Sequence, residues 1–128
     1  MATPAPYEDW RTEPVDRAED AASNFGFHLM MHCRAEALKK VASSSAPATK
    51  AELDAVVADA VDTALHNVAD LLEGFWITHA GAKHRTEFAL AVRVKDEEGK
   101  IIERIDVSPC LVDLPIGYWS WKDNFEGS

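Results

Sequence analysis

The chain has 128 residues, 47% of them apolar and 27% charged, with 13 basic against 22 acidic residues and a net charge of −9. That length allows one domain with a core of its own, without disulfide or metal staples. The acidic balance excludes nucleic acid and anionic membrane surfaces as expected partners, because phosphates are met by clustered Lys and Arg.

Residues 1–15 carry prolines at positions 4, 6 and 14 and read as an extended arm ahead of a single domain over 16–128. Tyr7 and Trp10 suggest that this arm lies on the domain rather than floating free. The start has neither the basic residues nor the apolar core of a secretory signal, and no apolar run reaches the roughly 18 residues of a membrane span. Cys33 and Cys110 are too few for a disulfide framework, so a cytoplasmic location with free thiols is expected. Asp16 and Glu19 have capping-box spacing, and a first helix is predicted over 17–42. The stretch SSSAPA (43–48) breaks it, since serines compete for backbone hydrogen bonds and Pro47 disfavours helix at Ala46.

Thr49 with Glu52 forms a second capping box. From Leu53 to Leu72 the apolar residues recur at i, i+3 and i+4 for six turns, and Gly74 is placed to end that helix. Residues 49–75 hold six acids against one Lys, so the acidity of the chain belongs mainly to this helix.

The period then changes to two. TEFALAVRV (86–94) reads as a half-buried strand, KDEEGK as a turn with Gly99 available for positive φ, and IIERIDVS (101–108) as the returning strand. FWIT (75–78) offers a third strand. Pro109 and Pro115 bound a loop, and IGYWSWKDNF reads as an extended aromatic tail in which Trp119 and Trp121 point to the same side. The expected fold is α+β, a two-helix hairpin followed by a small antiparallel sheet of two or three strands. Such a sheet has open edges and is marginal alone, so pairing with a second copy is expected to extend it, making the chain a homodimer.

His28 and His32 stand one helical turn apart, the spacing of a chelating pair, but Cys33 is rotated about 100° away and no carboxylate completes a metal motif. The helix that carries them is apolar nearly all round, which favours packing histidines, and no metal or cofactor is expected. Asp62, His66 and Asp70 lie in a row on the polar side of the second helix; a row cannot surround an ion, and a solvated acidic face is the reading favoured. THAGAKHR (78–85) is the basic cluster of the chain, where His79, Lys83, His84 and Arg85 could hold an anion, although the phosphate-loop pattern is absent. Cys33 reads as a small buried hydrophobe, and Cys110 as the more accessible thiol. Trp119 and Trp121 either cap the core or form a docking strip, with the core favoured.

The function expected from these residues is a non-enzymatic homodimeric protein-interaction module with an acidic helix face, engaging another protein, with a basic protein as a candidate partner. The alternative is a small-ligand-binding protein or enzyme with an anion-binding loop at 79–85.

Overall fold

The computed structural model describes residues 17–126. The expected arm (1–15) and the Asp16 cap lie outside these residues. The fold mixes helix and sheet. Helix α1 (Arg17–Leu29) runs into a π turn (Met30–Arg34) and on into α2 (Ala35–Ser43), followed by α3 (Lys50–Leu72). Strands β1 (Thr78–His79) and β2 (Arg85–Thr86) form one two-stranded antiparallel sheet, and β3 (Ala91–Lys95) and β4 (Ile101–Asp106) form another. Helix α4 (Leu114–Glu126) ends the described chain.

Both ends of α3 are built as its residues dictate. The Glu52 N–H donates to Thr49 Oγ1 at 3.1 Å, and Glu52 Oε2 in return accepts the Ala48 N–H at 2.7 Å. At the other end Gly74 sits at φ 75°, where glycine escapes the steric penalty of a Cβ. The Phe75 N–H then reaches the Asp70 carbonyl at 3.0 Å and the Gly74 N–H that of Leu71, closing a Schellman cap.

The first helix covers the predicted span, with a widening at Met30–Arg34 that periodicity does not announce. The Ala35 N–H reaches back five residues to the Met30 carbonyl, and the His32 carbonyl accepts the Asn67 side-chain amide of α3 at 2.8 Å. Helix α2 and α3 pack against each other, as does α4 on α3.

Three expectations are corrected. The predicted strand over 86–94 is split between two sheets: Phe88 turns inward to meet the Phe25 ring edge-on at 5.1 Å, and Leu90 is tied to Val107 and Ser108, so 87–90 leaves the ladder. The third strand over 75–78 shrinks to Thr78, because Phe75 is spent on the cap of α3. The tail is helical rather than extended. Asp113 Oδ1 accepts the Ile116 N–H at 3.0 Å as an N-cap, and Pro115 lies in the first turn, where its missing N–H costs nothing. On a helix Trp119 and Trp121 stand about 200° apart, so they face opposite sides. Trp119 meets His66, whereas the Trp121 ring lies so close over Gly117 that a Cβ there would come within 2.7 Å of it.

The buried apolar side chains are few: Cys33, Ala69, Leu71, Ala80 and Leu114. Cys33 belongs to the π turn, Ala69 and Leu71 to the last turns of α3, Ala80 to the β1–β2 connection and Leu114 to the start of α4. The β3–β4 hairpin stands outside this core, with every residue of both strands exposed. Its alternation survives all the same, since Val92 is paired with Ile105 while Arg93 is paired with Arg104.

Candidate functional site

The richest polar cluster is built on α3. Of the three residues expected on a solvated face, Asp62 and His66 meet side chains of α4 and Asp70 is buried. Tyr118 Oη donates to Asp62 Oδ1 at 2.7 Å and Lys122 Nζ donates to Asp62 Oδ2 at 2.9 Å, so one carboxylate holds two side chains one turn apart. Trp119, between them, lies 5.2 Å from the His66 ring, and Lys122 stands 5.5 Å over the Trp119 ring. His66 Nδ1 is 3.4 Å from Asp70 Oδ2.

The charges follow from these contacts. Lys122, and then Tyr118, hold the Asp62 carboxyl below the ordinary carboxylate range. The hydrogen bond to Asp62 raises the Lys122 ammonium, and burial followed by Asp62 raises the Tyr118 hydroxyl. A general acid or base works best near the operating pH, and both groups are driven away from it. Tyr118 and Lys122 therefore serve as a clamp holding α4 on α3. Asp70 is buried, and desolvation raises its carboxyl.

His28 and His32 form a second cluster. Their rings are parallel to within 9° at 5.7 Å, and His32 also stacks on Trp76 at 4.4 Å. Imidazole lone pairs lie in the ring plane, so stacked rings aim their nitrogens along parallel planes instead of toward one ion. His28 Nε2 and Asn24 Nδ2 both engage the His79 carbonyl, at 3.1 and 3.0 Å, pinning the β1–β2 connection to α1. Burial, then the neighbouring His28, lowers the His32 imidazole.

The loop residues are distributed otherwise. The His79 backbone is anchored, but the side chains of His79, Lys83, His84 and Arg85 are exposed along a tight hairpin with Gly81 at φ 83°. Arg85 lines a cavity of about 290 Å3 beside Trp76 and Phe88. Burial, then Asp70, pushes the Cys33 thiol up to about 11, away from nucleophilic use, while Cys110 is exposed.

Sequence reading missed the partners that make these clusters: Tyr118 and Lys122 for Asp62, Asn24 beside His28, and Asn67 for the π turn. The i, i+4 spacing of Tyr118 and Lys122 was the available signal, hidden by the alternating tryptophans. Comparison with family models, curated proteins and solved structures gives no match for this chain.

Proposed function

We propose that this chain is a non-enzymatic, homodimeric protein-interaction module whose interface is the apolar flank of α3. One observation carries the reading. The polar flank of α3 is covered by α4, whereas Leu53, Val57, Val61 and Leu65 on another flank are left 47–52% exposed. A helix normally buries its apolar side and wets its polar one. The inversion gives the apolar flank a partner to meet, and exposed patches of this kind mark interaction sites.

A second copy is the occupant that fits. The flank continues into an apolar groove of about 270 Å3 between the first helix and α3, lined by Leu29, Ala37, Leu38 and Leu65. Along the same helices Lys40 lies 3.7 Å from Asp59 and Lys50 3.1 Å from Asp54, so charges of both signs border the stripe. Two-fold packing sets each sign of one copy against the opposite sign of the other, which tolerates a net charge of −9 on each chain. The same assembly extends the sheet: among the described residues β3 and β4 each keep one edge unpaired, and hairpins meeting edge to edge make four strands. Glu52, Asp54 and Asp59 remain exposed as an acidic rim for a basic protein.

Light scattering coupled to size exclusion, at micromolar protein, tests this. Twice the chain mass is expected, falling to one chain mass in Leu65→Glu. A wild-type monomer overturns the reading. The register places the Arg93 N–H on the open edge of β3, so Arg93→Pro blocks strand pairing without removing a hairpin bond. A dimer that survives this change uses the helices alone.

A further inference from the structure

We propose that the cleft between the end of α3 and strand β2 binds a small zwitterion with an apolar side chain, of the α-amino-acid class. The site is independent of self-association. Its volume is about 290 Å3, close to the lower end of ordinary ligand pockets. Leu71, buried to 2% exposure, lies at one wall, and the half-buried Trp76 and Phe88 supply aromatic surface. The Trp76 ring is held in place from behind by its stack on His32. These walls suit a branched or aromatic side chain.

The polar groups of the cleft decide the class. Thr78 Oγ1 donates to the Thr86 carbonyl at 2.7 Å, and Thr86 Oγ1 donates to Thr78 Oγ1 at 2.9 Å. Both hydroxyl protons are thereby spent within the protein, one on a backbone carbonyl and one on the neighbouring hydroxyl. What remains are the two charged residues that line the cleft, Arg85 and Glu87, neither within ion-pair distance of another described side chain. An anion alone would meet Glu87 as well as Arg85, and a cation alone would meet the reverse. A ligand carrying both charges satisfies both, with Arg85 offering a planar fork to a carboxylate. The end of α3 adds to this: Leu71 and Gly74 bring the negative pole of the helix to the same cleft, which favours an ammonium beside Glu87.

The test is a titration of the full chain with L-leucine and L-phenylalanine, followed by calorimetry and by backbone amide NMR shifts. Two analogues, 4-methylpentanoate and isoamylamine, each lack one of the charges. Saturable binding of at least one amino acid is expected, with shifts confined to residues 71–88, and affinity for each analogue should be at least tenfold weaker. Arg85→Met and Glu87→Gln, both at exposed positions, should each lose tenfold or more while keeping the wild-type melting temperature. Equal affinity for 4-methylpentanoate and L-leucine would reduce the cleft to an anion site and overturn the zwitterion assignment. Absence of saturation up to millimolar amino acid overturns the proposal outright, whatever the oligomeric state proves to be.

Discussion

The two flanks of α3 have opposite fates. On one, Asp62 is bound by Tyr118 and Lys122 of α4, His66 meets Trp119, and Asp70 is buried beside His66. On the other, Leu53, Val57, Val61 and Leu65 face outward with about half their surface exposed. Hydrophobicity alone would assign the cover the other way round. What holds α4 there is a carboxylate that accepts two directed hydrogen bonds, while the apolar stripe stays exposed.

The strongest way to break the comparison is at the point both flanks share. Leu71→Ala removes the largest buried apolar side chain, and a cost of about 3 kcal/mol is expected in denaturant unfolding. A smaller loss would mean that the core lies elsewhere. Next, Asp62→Ala unfastens α4 and should cost about 1 kcal/mol, since the pair with Lys122 is partly solvated, with the oligomeric mass unchanged. Leu65→Glu should do the reverse, halving the mass measured by light scattering. If Asp62→Ala changes the mass as well, the two flanks are not independent.

Acid titration sharpens the same contrast within the polar flank. Asp62 has a lowered carboxyl pKa in the folded chain, so its stabilising contribution is present at neutral pH and lost as the pH falls through that lowered value. Asp70 is raised by burial; its ionised form opposes folding above the raised pKa, and the opposition fades as the pH falls through it. Asp70→Asn should therefore remove the upper, stabilising phase of the pH profile and leave the lower one, a change within about 1 kcal/mol. A profile identical to wild type would show Asp70 to be solvated. The mildest test leaves the fold intact: at pH 8 iodoacetamide should modify Cys110 and spare Cys33, whose pKa of about 11 leaves about 0.1% thiolate. Equal labelling in intact-mass spectra would mean the π turn opens.

The helices were legible where a local rule acts alone. Thr49, Glu52 and Gly74 delimit α3 by chemistry confined to one turn at each end, and there the prediction and the fold agree. The alternation over 86–94 was real but not decisive, because Phe88 has a tertiary partner, Phe25, that lies 63 residues earlier and outweighs strand continuity. Helix α4 was hidden for the opposite reason. Its signals, an Asp113 cap and a Tyr118–Lys122 pair, are weak until Asp62 is brought opposite them by packing. The acidic row could be named from its spacing, but its cover could not, since nothing within α3 specifies what lies across from it.

The π turn at Met30–Arg34 acts as a phase shift. One residue beyond the regular count advances every later side chain by about 100° around the axis. Upstream of it, Asn24, Phe25 and His28 address the β1–β2 connection and Phe88; downstream, α2 addresses α3. A single rod thereby serves two neighbours lying in different directions, without a loop between. Removing one residue from Met30–Arg34 would restore an unbroken α-helix and put the two halves in register, leaving one of the two neighbours facing the wrong side chains.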